Sequence, residues 1–384
     1  MVRKAVMSNQ EILGDSSFSD VIILAGGFGE RLWPASSPQF PKQFLSIQNG
    51  ISFLQTSILR ALAVNPIGKI IIITREDIQT VVAQHCESLK NTLSPEQQKK
   101  MQQDLYILAE PCARHTCAPL VLACKILNLF DKTEHTMLVL TSDHIIEPTE
   151  KFIADCYKAA AIAKKGNFVC FAIPPTEPAT GYGYIKQGEN IHNDGSVFKI
   201  AQFKEKPDAQ TAQQYLASGQ YSWNSGMFAF TDTFFLHEVL EYESGIFESF
   251  KNFDAATLPD CEIINGTKCI SHWQPMNESY KTVKAIAVDN AIAERTKKAA
   301  AVKSTFTWDD VGSWDAFDKH YAGSNDNTAS IKSHDNFVYS DIPVALCGVE
   351  NLIVVIKDGK ALVMKKGSSG SMRDVVKEMK NRGC

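Results

Sequence analysis

The stretch from Leu24 to Lys42, LAGGFGERLWPASSPQFPK, limits what this chain can fold into more than any other part of it. It follows Val21-Ile22-Ile23-Leu24, a short β-branched apolar run suited to a buried strand. Three glycines then fall within four residues, at Gly26, Gly27 and Gly29. Glycine lets a backbone approach a phosphate closely and turn its N–H groups toward it. Arg31 and Lys42 supply counter-charge. Pro34, Pro38 and Pro41 keep the stretch from forming one long helix. The reading is a strand end, an anion-cradling loop and two cations. Leu24, Ala25, Gly26, Gly27 and Gly29 are the candidate nucleotide-binding backbone.

Two common phosphate motifs do not fit. The dinucleotide fingerprint needs a third glycine opening a helix, but Leu32 stands there and Pro34 follows. The P-loop ends in Gly-Lys-Ser/Thr, which is missing. A nicotinamide-dependent dehydrogenase is disfavoured on the same grounds.

Strand-like runs alternate with helical segments along the first half. Ile70 to Thr74, Tyr106 to Ala109, Met137 to Thr141 and Phe168 to Ile173 read as strands. Phe53 to Leu62, Gln79 to Leu89, Ala118 to Phe130 and Thr149 to Lys164 read as helices. This alternation predicts an α/β domain with a mostly parallel sheet covered on both faces. Ligands in such sheets sit beyond the carboxyl ends of the strands. Gly26-Gly27 and Asp143 both fall at such ends. Near residue 323 the texture changes to short β-like pieces, Asn336 to Tyr339, Val344 to Leu346, Leu352 to Ile356 and Ala361 to Met364. Arg373 to Asn381 reads as a terminal helix. The expected division is a loosely ordered tail over 1–18, a catalytic domain over 19–323 and a small β-rich domain with its helix over 324–384.

At 384 residues, 44% hydrophobic and 21% charged, the chain can fill two ordinary globular cores. Its net charge of −4 gives no case for nucleic-acid binding. No apolar run approaches the ~18 residues of a membrane span, and no secretory core precedes residue 20. The ten cysteines form no Cys-x-x-Cys pair, which predicts reduced thiols, no zinc site and a cytoplasmic protein.

Further constellations follow in order. Ser142-Asp143-His144 ends a strand, where a carboxylate can reach a phosphate held by the glycine loop. Thr180-Gly181-Tyr182-Gly183-Tyr184, Phe203-Lys204-Glu205-Lys206-Pro207, Trp223-Asn224-Ser225-Gly226-Met227-Phe228 and Trp308-Asp309-Asp310-Val311-Gly312-Ser313-Trp314 come next. Singly, each has a bland reading: a hairpin turn, a solvated charge run, a core strand or a helix cap. Together, and in this order, they resemble the sugar-1-phosphate nucleotidyltransferases. Leu32-Trp33-Pro34 and Pro41-Lys42-Gln43-Phe44 resemble the mannose-1-phosphate guanylyltransferase branch in particular. The resemblance covers roughly residues 20 to 370.

That resemblance implies a Rossmann-like domain of GT-A type. Gly348 to Met364 resembles a C-terminal left-handed β-helix. The implied reaction is GTP plus α-D-mannose 1-phosphate giving GDP-mannose and pyrophosphate. Both reactants are anions, so charge neutralisation and alignment matter more than a covalent nucleophile. Asp143 and Asp310 are the implied ligands of Mg²⁺, or Mn²⁺. Arg31 is assigned to the β- and γ-phosphates, Lys42 to charge near the α-phosphate and Lys206 to the sugar phosphate. Gly183, Glu205 and Asn224 are the sugar-pocket residues. Glu110 and Arg114 complete the nucleotide set, with Glu110 assigned to the donor pair of guanine. His115 stands where the family usually has asparagine. Asp289 also matches a family position but is read as a helix cap outside the site. Bifunctional relatives carry an added isomerase module, and the length of this chain leads to the expectation that it has none. A homodimer is expected. The rival readings are another nucleotide or sugar specificity on the same scaffold, or a regulatory paralogue that binds GDP-mannose without turnover.

Overall fold

The computed structural model of the protein describes residues 17–48, 50–321 and 327–382. These residues form two compact units. The first takes in the described parts of Met1–Gly26, Ile58–Thr141 and Ile146–Trp308, and the second those of Gly27–Ser57, Ser142–Ile145 and Asp309–Cys384. Most of the expected N-terminal tail lies outside the described residues.

Unit one is built on a sheet of eleven strands. In chain order they are β1 (Asp20–Leu24), β2 (Ile70–Arg75), β3 (Leu105–Glu110), β4 (Thr136–Thr141), β5 (Phe168–Ile173), β6 (Tyr184–Asn190), β7 (Val197–Lys204), β8 (Tyr221–Thr231), β9 (Glu262–Ile264), β10 (Thr267–Ile270) and β11 (Ala299–Lys303). Across the sheet the order is β9-β10-β3-β2-β1-β4-β8-β5-β11-β7-β6, with β6 also meeting β8. The strands from β10 to β4 are parallel, with Val21 beside Ile70 and Leu138. β8 runs antiparallel between β4 and β5 and carries the motif with Asn224.

Burial explains why these strands read clearly. Ile22, Ile23, Ile70, Ile72, Ile107 and Val139 are all fully enclosed, as a sheet covered on both faces requires. Four helices that follow strands, α1 (Phe53–Val64), α2 (Gln79–Leu89), α3 (Cys117–Phe130) and α4 (Thr149–Ala163), match the expected segments within one or two residues. Every residue of α3 from Cys117 to Leu127 is buried, the one charged member, Lys125, pairing with Asp254 at 2.7 Å. A later helix, α5 (Gln274–Thr282), packs Met276 and Tyr280 into the same core.

Unit two has its own core, in which Leu32, Leu45 and Phe53 join Val311, Trp314, Phe317, Phe337, Ile353, Met372 and Val376. Here the packing departs from a single break near residue 323. Segments 27–57 and 142–145 belong with the C-terminal residues because their apolar side chains share one cluster. Trp314, which begins α6 (Trp314–His320), is fully buried, and its indole N–H donates to the carbonyl of Trp33 at 2.9 Å. Five strands follow, β12 (Thr328–Ile331), β13 (Phe337–Ser340), β14 (Val344–Cys347), β15 (Leu352–Lys357) and β16 (Lys360–Lys365). β12 pairs in parallel with β14 and β13 with β15 at one constant spacing, Thr328 with Val344 and Phe337 with Ile353. β16 closes antiparallel on β15. The final helix, α7 (Met372–Asn381), turns Met372 and Val376 inward and packs on the short turn Glu30–Leu32.

Candidate functional site

In unit two Asp143 and Asp310 converge on Lys42. Pro41 starts a single 3₁₀ turn, Lys42–Phe44, that directs this side chain inward. Lys42 is only 5% exposed, so it is not a solvated surface lysine. Its ammonium donates to the carbonyl of Asp143 at 2.8 Å and to the Asp143 carboxylate at 3.1 Å. It also donates to the carbonyl of Asp310 and lies 5.0 Å from the centre of the Phe53 ring. Three segments far apart in sequence thus meet at one cation. Burial raises the Asp143 carboxyl, but Lys42, His144 and Arg31 outweigh it and hold that group below its ordinary value.

The glycine loop is fitted to this lysine. Gly29 has φ +59°, and a Cβ there would lie 2.6 Å from the Lys42 backbone nitrogen. Only glycine permits that approach. The Gly29 carbonyl accepts from the Ser36 hydroxyl at 2.6 Å. Arg31 sits exposed on the turn Glu30–Leu32.

The second aspartate motif is a strained turn. Val311 is fully buried at φ +44°, a conformation that costs a β-branched residue roughly 1–3 kcal/mol. The turn is held by two short bonds, Val311 N–H to the Asp309 carboxylate at 2.7 Å and Gly312 N–H to the Asp310 carboxylate at 3.1 Å. The other oxygen of Asp309 meets His320 at 2.8 Å, so Asp309 braces the turn and leaves Asp310 as the candidate ligand. Among the described residues no three His, Cys, Asp or Glu side chains form a cage for a metal. The donor set of Asp143 and Asp310 instead fits Mg²⁺, which is commonly held by one or two carboxylates together with substrate phosphates and water.

In unit one, Leu24 ends β1, and Ala25 continues it by bonding to the carbonyl of Ile73 at 2.8 Å. The Ala25 carbonyl accepts from the Thr74 hydroxyl at 3.0 Å. Glu110 ends β3 directly beside Arg75 of β2. It is 4% exposed, and burial pushes its carboxyl up to about 8, against the opposing bond from Tyr280. A Cβ on Gly26 would lie 3.6 Å from Oε2 of Glu110, which sets this carboxylate beside the glycine segment. Arg114, expected to touch nucleotide, donates through Nε and Nη2 to the carbonyl of Tyr280, at 3.2 and 2.7 Å. His115 has φ +56°, a region that asparagine and histidine tolerate better than most residues.

The expected sugar residues also gather in unit one. A Cβ on Gly183 would lie 2.5 Å from Oε2 of Glu205 and 3.2 Å from the Phe203 ring, so glycine leaves room for both. The Gly183 carbonyl accepts from the Asn224 backbone at 2.8 Å. Glu205 is anchored through its backbone N–H to Glu294 at 2.9 Å. Lys206 pairs with Glu205 at 3.0 Å, keeps an exposed side chain and has φ +44°.

Asp289 and one other residue beside these groups escaped the sequence reading. Asp289 is not at the cap position: it opens a π-helical turn, Asp289–Ala293, and Val288 precedes it as the cap. Its carboxylate accepts from the Asn224 amide at 2.9 Å, and burial followed by repulsion from Glu205 pushes it up to about 7. Its match to a family position was the available signal. The other is Arg75, which pairs with Asp77 at 2.9 Å and reaches the Gly26 carbonyl at 3.4 Å. No local motif marked it.

Comparison with known proteins points to one family. The Nucleotidyl transferase family pattern matches residues 20–326. The chain is 33% identical over 370 residues to the mannose-1-phosphate guanylyltransferase of Salmonella muenchen, covering 94% of this chain and 73% of that protein. It is also 33% identical over 372 residues to a mannose-1-phosphate guanylyltransferase of Escherichia coli (strain K12), again covering 94% and 73%. A crystal structure from Thermus thermophilus, described as a mannose-1-phosphate geranyltransferase, superposes with a TM-score of 0.76 at 25% identity, covering 94% of this chain and 99% of that one. The chain is therefore a member of the nucleotidyltransferase family.

Proposed function

We propose that this enzyme transfers GMP from GTP to α-D-mannose 1-phosphate, giving GDP-mannose and pyrophosphate. The observation that carries the proposal is the meeting of Lys42, Asp143 and Asp310 at one buried ammonium, with Gly29 fitted against the Lys42 backbone. The named relatives in Salmonella and E. coli support the choice of guanine and mannose. Lys42 neutralises charge near the α-phosphate as the sugar phosphate oxygen attacks in line. Arg31 neutralises the departing β- and γ-phosphates, and Lys206 the incoming sugar phosphate. Glu110 accepts from guanine, while Glu205, Asn224 and the Gly183 backbone receive sugar hydroxyls. Asp143 and Asp310 are the residues that would hold Mg²⁺, or Mn²⁺; bound there, the metal supplies Lewis-acid neutralisation of phosphate charge. Such alignment of two anions is the main catalytic task in nucleotidyl transfer.

We read the parallel pairs of β12 with β14 and β13 with β15 as stacked coils of a short left-handed β-helix. A cytoplasmic homodimer is the proposed working form. The test is pyrophosphate release with mannose 1-phosphate, Mg²⁺ and, in turn, GTP, ATP, UTP and dTTP. GTP should be preferred and mannose 1-phosphate required, and Asp310→Asn should lower kcat by about 100-fold or more. Equal use of all four triphosphates would refute the guanine assignment, and full activity in the variant would refute the metal assignment.

A further inference from the structure

Glu110 ends a chain of hydrogen bonds that begins at Arg114. The Arg114 guanidinium donates twice to the carbonyl of Tyr280, and the Tyr280 hydroxyl donates to Oε1 of Glu110 at 2.6 Å. Tyr280 is 1% exposed on α5, with its ring packed edge-on against Phe250 at 6.0 Å and 89°. The phenol is thus fixed by packing at its ring and by Arg114 at its backbone. Of the two carboxylate oxygens, the one bonded to Tyr280 is immobilised, and Oε2 is the one nearest Gly26. A carboxylate fixed at one oxygen presents its plane in one orientation. Guanine offers N1–H and N2–H₂ side by side in one plane, so the orientation of that acceptor decides whether both donors are met.

We infer that Tyr280, braced by Arg114, is the positioning residue that sets Glu110 for selection of guanine over purines without the 2-amino group. This rests on the reading that Glu110 contacts the base. Tyr280 acts through Glu110 and touches no reacting atom. Glu110 is bonded by Tyr280 and lies beside Arg75 of the adjacent strand, while Arg114 and Cys112 act on Tyr280. Tyr280 is the one with a bond that favours the carboxylate over the acid.

The experiment compares GTP with inosine triphosphate, which lacks the 2-amino group, in wild type and Tyr280→Phe. Phenylalanine keeps the packing ring and removes the bond. The GTP-over-ITP ratio of kcat/KM should fall about tenfold, mostly through KM for GTP, with kcat held within about twofold. The pH midpoint of GTP binding should move upward, because the lost bond had favoured the carboxylate. Arg114→Ala, which frees the backbone of Tyr280, should narrow the ratio in the same direction and serves if Tyr280→Phe does not fold. An unchanged ratio and pH midpoint would overturn the role of Tyr280. A wild-type protein that releases no pyrophosphate with mannose 1-phosphate would instead overturn the proposed activity.

Discussion

Asp143 in unit two and the pair Glu110 and Asp289 in unit one are tuned in opposite directions. In unit two, Asp143 lies against Lys42 and its charge is favoured despite burial. In unit one, Glu110 and Asp289 are buried without a cation that outweighs the loss of water, and both are pushed up, to about 8 and about 7. A carboxylate held ionised beside a lysine is suited to work among metals and phosphates. A carboxylate poised near neutrality, bonded to Tyr280 or Asn224, is suited to neutral donors such as a base edge or a hydroxyl. On the proposed roles, the carboxylate of unit two works among charges and the pair in unit one meets hydrogen-bond donors. Both units hold a non-glycine residue at positive φ beside a candidate site residue, Val311 next to Asp310 and Lys206 next to Glu205.

The harshest test of this division is Lys42→Met. It removes the ammonium that joins Asp143 to Asp310 and should lower kcat about a thousandfold. The ratio of GTP to ITP among residual turnovers should stay as in wild type. A collapse of that ratio would mean that unit two also reads the base, and the comparison would fail.

Gly183→Ala tests the other side. Its new methyl group would press on Glu205 at 2.5 Å and on Phe203 at 3.2 Å. The Glu205 head can swing away, but the buried Phe203 ring yields less readily. KM for mannose 1-phosphate should rise by roughly tenfold, with a smaller change in kcat and none in GTP-over-ITP selectivity. A loss confined to kcat would place Glu205 with the charge-handling groups instead.

The sequence carried these two regions unequally. Strands buried on both faces are continuous apolar runs, so Ile70–Arg75 and Phe168–Ile173 were legible to within a residue. The glycine segment was legible as a loop after a strand because three glycines in four residues favour an irregular backbone. What was not legible depended on partners distant in the chain. Asp289 looks like a cap until Asn224, sixty-five positions away, is seen to bond it. Tyr280 belongs to no motif, and its partner Glu110 lies 170 positions away. The grouping of segment 27–57 with the C-terminal residues was hidden for the same reason. It rests on contacts such as that between Trp314 and Trp33, which no local pattern encodes.

The smallest expected effect, and the finest test of the contrast, is the pH dependence of stability in Glu110→Gln. In wild type the folded protein holds the Glu110 proton up to about pH 8, whereas the unfolded chain releases it near 4.5. The folded state therefore binds more protons over this interval, and stability falls as pH rises from about 4.5 through about 8. Glutamine keeps an acceptor for the Tyr280 hydroxyl and cannot ionise. Without ligand, its melting temperature should gain on wild type by a few degrees between pH 5 and pH 9. With GTP the order should reverse, because the bases offered to Glu110 carry donors that favour the carboxylate, and the variant cannot supply one. Parallel melting curves for the two proteins across that range would show that Glu110 is tuned like Asp143, and the contrast between the units would then fail at the base-reading residue.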